Sequence, residues 1–167
     1  GCLFDVKFIE RSINQLPNNF CDSSPPFPSP APPSTSRLFR ASCNGGTIAN
    51  TNLADIQSCT TITGDLTFDG TLLTDISLPN LVEVTGSIKV YNNDALTTLD
   101  VPQLTSTGGD FSMGYNGVLT NLSLPKLSST GGYFHVANND ILSSLSAPRL
   151  QTVVGAVNIF LHCAQCD

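Results

Sequence analysis

From about residue 64 onward, apolar and polar positions follow a pattern that returns every 23 residues. That spacing separates Leu73, Leu96, Leu119 and Leu142, then Ile76, Leu99, Leu122 and Leu145, and again Leu81, Leu104, Leu127 and Leu150. Three non-leucine columns keep the same period: Pro79, Pro102, Pro125 and Pro148; Gly86, Gly109, Gly132 and Gly155; and Asn93, Asn116 and Asn139. A slightly shorter unit begins at Gly64. After each glycine comes a short alternating run, Leu66 and Phe68, Ile88 and Val90, Phe111 and Met113, Phe134 and Val136, Val157 and Ile159. Period-two alternation predicts a half-buried strand.

Because equivalent strands recur once per coil, they are expected to stack as a parallel sheet with neighbours about 4.8 Å apart and right-handed crossovers. The length of the unit, 23 residues, lies in the range of leucine-rich repeats. The expected fold is therefore of the β class: a right-handed parallel β-solenoid of about five leucine-rich coils, forming a rod on the order of 25 Å long. About five ladder side chains per coil, each worth roughly 2 kcal/mol when buried, find cover only against neighbouring coils, so no coil folds alone. The glycines before each strand suit a tight turn or bulge with φ > 0, and the Pro-x-Leu step suggests an extended entry into the next segment. The asparagines fit a bend after the strand, where their side chains satisfy backbone groups.

Solenoid ends expose strand edges that need cover. At the amino-terminal end Cys43 and Cys59 flank Gly45-Gly46-Thr47-Ile48 and Leu53-Ala54-Asp55-Ile56, which reads as a capping turn with a short helix. A disulfide between them closes a loop worth roughly 3 kcal/mol. The chain divides into a cysteine-containing arm (1–21), a Pro-rich linker (22–42) and the capped solenoid (43–167). The run from Pro25 to Pro33 predicts a polyproline II spacer, reaching roughly 45 Å at about 3.1 Å per residue. Within the arm, Phe4-Asp5-Val6-Lys7-Phe8 alternates like a strand and is expected to pair with an open edge, in its own chain or another. If Cys43 pairs with Cys59, then Cys2, Cys21, Cys163 and Cys166 allow three connectivities. Bonds from Cys2 and Cys21 to the carboxy-terminal pair are favoured over a zinc site built from the same thiolates.

Composition narrows the function classes. Charged residues make up only 12%, and seven basic against thirteen acidic residues leave a net charge of −6 with no Lys/Arg cluster, which argues against nucleic acid. No stretch has the roughly 18 consecutive apolar residues of a membrane-spanning helix, and neither a signal peptide nor a lipid-anchor tail is recognised. The even number of cysteines, six, and the sequon Asn121-Leu122-Ser123 point to an oxidising, extracellular setting with Asn121 glycosylated.

From Cys43 to about Phe160 the chain resembles the receptor L-domain family, and within it the fungal cell-wall proteins of the sporulation-specific type. The resemblance rests on Cys43-x-x-x-x-Ile48, Cys59-Thr60-Thr61-Ile62-Thr63-Gly64-Asp65-Leu66, Leu96-x-x-Leu99-x-x-Pro102-x-Leu104 and Gly108-Gly109-x-Phe111. It implies a glycosylated, extracellular, non-catalytic domain serving wall integrity, adhesion or receptor ligand binding. Residues 1–42 and the small number of coils depart from the family, whose members usually carry more coils and an anchor signal. The proline-rich arm is instead similar to spacers of algal and plant wall glycoproteins.

Signatures of enzymes are missing from the sequence: no phosphate-binding glycine loop, no H-E-x-x-H, no G-x-S-x-G. The remaining carboxylate pairs, Asp65 with Asp110 and Asp65 with Asp69, are spaced about 10 and 13 Å apart on ideal strands, too far for a glycosidase pair. No cofactor, metal or catalytic residue is expected. An ice-binding face is disfavoured because the outward threonines do not align. The outward strand positions Lys89, Tyr91, Tyr133, His135, Asn158 and Phe160 form the candidate binding face for a cell-wall glycan or an extracellular protein. Cross-strand aromatics that only stabilise the sheet are the competing reading. A further expectation is self-association through the amino-terminal arm into a head-to-tail fibre.

Overall fold

The structure is a computed structural model and describes residues 3–5, 42–48 and 53–161. Of the Pro-rich linker only Ser42 is described, and Cys2, Cys21, Cys163 and Cys166 lie outside the described residues. The chain opens with β1 (Leu3–Asp5), β2 (Ser42–Thr47), a single helical turn α1 (Leu53–Ile56) and the long β3 (Thr61–Asp69). Four similar units follow: β4 (Asp75–Ser77), β5 (Glu83–Val84) and β6 (Ile88–Tyr91); β7 (Thr98–Asp100), β8 (Ser106–Thr107) and β9 (Phe111–Gly114); β10 (Asn121–Ser123), β11 (Ser129–Thr130) and β12 (Phe134–Asn139); β13 (Ser144–Ser146), β14 (Thr152–Val153) and β15 (Val157–Leu161). Together they make a solenoid of about five turns in which every strand pairing is parallel.

Two sheets carry the coils. The three-residue strands stack in the order β1-β13-β10-β7-β4, and the others form a sheet ordered β14-β11-β8-β5-β3-β6-β9-β12-β15, with β2 also on β3. Nine-residue β3 joins the short and long strands of the second sheet by pairing with β5 at its start and β6 at its end. Register follows the sequence period: Ile88, Phe111, Phe134 and Val157 are mutual partners at steps of 23, and the first step, from Leu66 to Ile88, is one residue shorter. Like side chains therefore meet in layers. Leu99 pairs in register with Ile76 and Leu122 with Leu145, and all four are buried in one continuous core. Phe111 and Phe134 stack inside it with ring centroids 5.3 Å apart.

The asparagine column is a buried hydrogen-bond ladder. Asn93, Asn116 and Asn139 are each 0% exposed. Asn116 Oδ1 accepts from the backbone N–H and the amide of Asn93 at 3.2 and 3.1 Å, and Asn139 Oδ1 does the same for Asn116 at 3.1 Å in both cases. Their amides donate onward to the carbonyls of Phe68, Val90, Gly114 and Ala137. Thr71 ends the ladder at the first coil, its N–H and hydroxyl both bonded to Asn93 Oδ1. Each asparagine also opens a turn, its carbonyl accepting from Leu96, Leu119 or Leu142. Only a side chain with both acceptor and donors serves both neighbours of a buried coil, so the repeat holds Asn here.

Two expectations about the backbone need correction. The glycine column does not answer a demand for positive φ: of the strand-preceding glycines only Gly64, at φ 90°, lies in that region. At Gly86, Gly109 and Gly132 a Cβ would collide with the side chain of Asp65, Ser87 or Asp110 from the preceding coil, and at Gly108 and Gly131 with a backbone carbonyl. Close coil-to-coil approach excludes a side chain. Nor does the Pro-x-Leu step run extended. The carbonyl before each proline accepts from the leucine three residues on, Leu81 to Leu78, Leu104 to Val101, Leu127 to Leu124 and Leu150 to Ala147, at 3.1 to 3.3 Å. Proline's fixed φ suits the second position of such a turn.

Near the start of the coils, Cys43 and Cys59 are joined by a disulfide across 16 positions, with Cys59 fully buried and its N–H donated to the Ile56 carbonyl at the end of α1. β2 pairs with β3 in parallel, with a register shift between Asn44 and Gly46. At the other end of the coil stack, β1 lies beside β13 in register, Leu3 opposite Ser144 and Asp5 opposite Ser146. Of the run Phe4–Phe8 read as a strand, Phe4 and Asp5 lie in β1, and residues 6–8 lie outside the described residues.

Candidate functional site

Strand alternation sends three rows of side chains outward from the long-strand sheet. The first, just before the strands, runs Asp65, Ser87, Asp110, Tyr133 and is held by its own ladder. Asp65 Oδ1 accepts from Ser87 N–H at 2.8 Å, Ser87 Oγ from Asp110 N–H at 3.1 Å, and Asp110 Oδ1 from Tyr133 N–H at 2.8 Å. The row's ladder ends at Tyr133, which is 52% exposed and whose ring stands beside Gly155. The second row runs Thr67, Lys89, Ser112, His135, Asn158, and the third Asp69, Tyr91, Gly114, Ala137, Phe160.

The six residues expected to form a binding face thus share one surface but do not converge on one spot. Lys89, Tyr91, His135 and Asn158 are partly buried, while Tyr133 and Phe160 are exposed. Tyr91 folds its ring against Gly114, where a Cβ would come within 3.0 Å of it. Tyr91 and Phe160, in one row, are three strands apart, roughly 14 Å, so they do not stack. The ring stacking seen among the described residues is interior, between Phe111 and Phe134.

Charge on this face is locally paired. Lys89 Nζ meets Asp65 Oδ2 at 2.8 Å. The Lys89 hydrogen bond, with help from the Ser87 N–H, holds the Asp65 carboxyl below its usual range, and the same hydrogen bond raises the Lys89 ammonium. The Lys89 and Asp65 side chains are 40% and 49% exposed, so solvent screens the pair. Asp65 and Asp110 are each committed to a backbone N–H of the next coil.

The outer face of the three-residue strands is a polar grid. Its rows are Asp75, Thr98, Asn121, Ser144 and Ser77, Asp100, Ser123, Ser146. The sequon residue Asn121 stands exposed in the middle of it, on β10. Thr97, Thr98, Asp100, Asn121 and Ser123 line a shallow groove there of about 500 Å³.

A third surface was missed in the reading of the sequence. Where the long strands end, Asn92, Tyr115 and Asn138 occupy equivalent positions one residue before the buried ladder, with φ of 55, 56 and 54°. One residue after the ladder come Asp94, Gly117 and Asp140. The triplets Asn-Asn-Asp, Tyr-Asn-Gly and Asn-Asn-Asp show that the middle coil departs at both flanking positions. Asp94, Tyr115, Gly117, Asn138 and Asp140 line an open groove of about 350 Å³. The signal that finds it is the break in columns of period 23.

Among the described residues no group of three His, Cys, Asp or Glu side chains is placed to hold a metal, and no helix is long and apolar enough to cross a membrane. Comparison with family models, with curated proteins and with solved structures finds no match.

Proposed function

We propose that the chain is a non-catalytic structural or adhesion module of an extracellular surface or wall, built as a right-handed leucine-rich solenoid of the receptor L-domain type. In this reading Cys43, Cys59 and α1 belong to an amino-terminal cap, the Pro-rich segment is an arm, and Asn121 carries a glycan. The observation that carries it is the register of the coils. Identical strand positions repeat across a rigid sheet and present Tyr133 and Phe160, with Lys89, Tyr91, His135 and Asn158 around them, along one outer face. Such a platform spends little conformational entropy on binding an extended glycan or protein. Support for the secretory route comes from the Cys43–Cys59 disulfide and from the exposure of Asn121. The intact glycosylated chain is expected to bind wall polysaccharide or intact cells saturably, and Tyr133→Ala to abolish most of that binding without changing the melting temperature. Binding that survives both Tyr133→Ala and Phe160→Ala overturns the outer-face reading.

A second reading is favoured by one observation. β1 pairs with β13 at the end of the coil stack opposite β2, which sits on β3. The same pairing made between copies links the arm of one molecule to the last coil of the next and propagates head to tail. Electron microscopy and a non-reducing gel test it. A chain that stays monomeric both with and without residues 1–21 rules out the fibre.

A further inference from the structure

The groove beside the buried ladder gathers two departures from the repeat that the fold itself does not explain. Tyr115 holds φ 56° at a position where the coils before and after carry asparagine. Asn enters the left-handed region readily because its short side chain bonds locally, whereas an aromatic residue there is disfavoured. Tyr115 is also 56% exposed, so burial does not repay the conformation. Two positions on, Gly117 replaces the aspartate of its neighbours. Every other described glycine has either a positive φ or a neighbouring atom about 3 Å or less from where a Cβ would sit. At Gly117 a Cβ meets nothing within 4 Å and φ is ordinary. Neither packing nor backbone geometry asks for glycine there, although glycine loses more entropy on folding than any other residue.

What the two departures create together is space and a platform. The exposed Tyr115 ring borders the groove, Gly117 leaves its floor clear, and Asp94, Asn138 and Asp140 stand around it. The side chains of these three have no hydrogen-bond or ion-pair partner among the described residues, whereas Asp65, Asp69 and Asp110 are each bonded within the fold. Adjacent coils lie about 4.8 Å apart, which puts Asp94 and Asp140 roughly 10 Å from each other with the aromatic coil between them. A single metal ion needs its oxygen ligands far closer than that. A cationic group is attracted by carboxylates, yet the middle coil has given one up. The substitution pattern removes charge and adds an aromatic face and room for a ring-sized body.

We infer that this groove is a saccharide subsite, in which one sugar ring stacks on Tyr115 above Gly117 while Asp94, Asn138 and Asp140 take hydrogen bonds from its hydroxyls. The apolar face of a pyranose suits an aromatic ring, and carboxylate and amide oxygens are the acceptors that fix its orientation. The site lies on other residues than the outer-face reading and does not depend on it.

Titration of the intact chain with short chito-, cello-, β-1,3-gluco- and manno-oligosaccharides, followed by calorimetry and NMR, tests it. At least one of them is expected to bind saturably. Tyr115→Asn and Gly117→Asp, which restore the residues of the neighbouring coils, are expected to weaken binding by roughly tenfold or more. Both variants are expected to keep the fold, and Tyr115→Asn to keep or raise the melting temperature. Val82→Ala, at an exposed position outside both surfaces, is expected to leave oligosaccharide affinity unchanged, whereas loss of affinity in Tyr133→Ala with retention in Tyr115→Asn moves the site to the outer face and overturns this one. Failure of every oligosaccharide to bind overturns the proposal as well. So does a lowered melting temperature in Tyr115→Asn, which assigns the tyrosine to the fold. Salt-sensitive capture of a Lys/Arg-rich peptide that competes with or replaces the sugar assigns the groove to cationic ligands instead.

Discussion

Two neighbouring columns of the same repeat, one residue apart, behave in opposite ways. Asn93, Asn116 and Asn139 are fully buried and identical, and each is bonded to the coil before or after it. Asn92, Tyr115 and Asn138, next to them, face water and vary. Both columns make the bend after the strand, but only the first carries hydrogen bonds that water cannot replace. An unmade bond costs most where a group is shut away from solvent, so the buried column tolerates no change while its neighbour is free to acquire one. The residues that hold a solenoid together and those that differentiate one coil from another can thus sit side by side.

Breaking the inner column should have the largest effect. Asn116→Ala leaves the N–H and amide of Asn93 without their shared acceptor and takes the amide donor away from the carbonyls of Val90 and Gly114 and from Asn139 Oδ1. At about 1 to 3 kcal/mol for each buried group left unmade, the loss should exceed about 3 kcal/mol in chemical denaturation, enough to unfold part of the population. Gly131→Ala comes next, because its Cβ would collide with the backbone carbonyl of Gly108 and the coils would have to part. Overpacking of this kind costs about 1 to 3 kcal/mol, to be read from the shift in denaturation midpoint.

The outer column should respond more weakly. Asn138→Tyr copies the middle coil onto its neighbour and should cost about 1 kcal/mol, the penalty for placing an aromatic residue in the left-handed region. A larger loss would mean that Asn138 does more for the fold than its exposure suggests. The smallest effect is expected at Asp65, whose carboxyl is held below its usual range by the Lys89 hydrogen bond and the Ser87 N–H. A depressed folded-state pKa stabilises above the unfolded value near 3.8 and loses that contribution as pH falls through the lower, folded value. The stability difference between the wild type and Asp65→Asn should therefore be small and constant at neutral pH, and should close only in acid. A difference that persists there would assign the effect to the hydrogen bond alone.

Much of the architecture was legible in the spacing. The leucine columns, the strand after each glycine, the bend at each asparagine and the Cys43–Cys59 disulfide all stand where the pattern placed them. The reasons for two columns were misread. Glycine and proline have several uses, and the sequence cannot tell a residue needed for its own φ from one needed because a neighbouring coil passes too close. Asp65, Ser87 and Asp110 look like scattered surface groups until the coils are stacked, when each proves to hold the next coil's backbone. The groove at Tyr115 was written in the broken columns, but its exposure and open floor were not.

The period of the chain alone decided that it would coil and which side chains would meet, because residues spaced by one turn of a solenoid must fall in the same layer. Only the folded molecule decided how near adjacent layers come, which polar side chains that proximity commits to the backbone, and which are left facing water. Those are properties of distances between coils, and no single coil contains them.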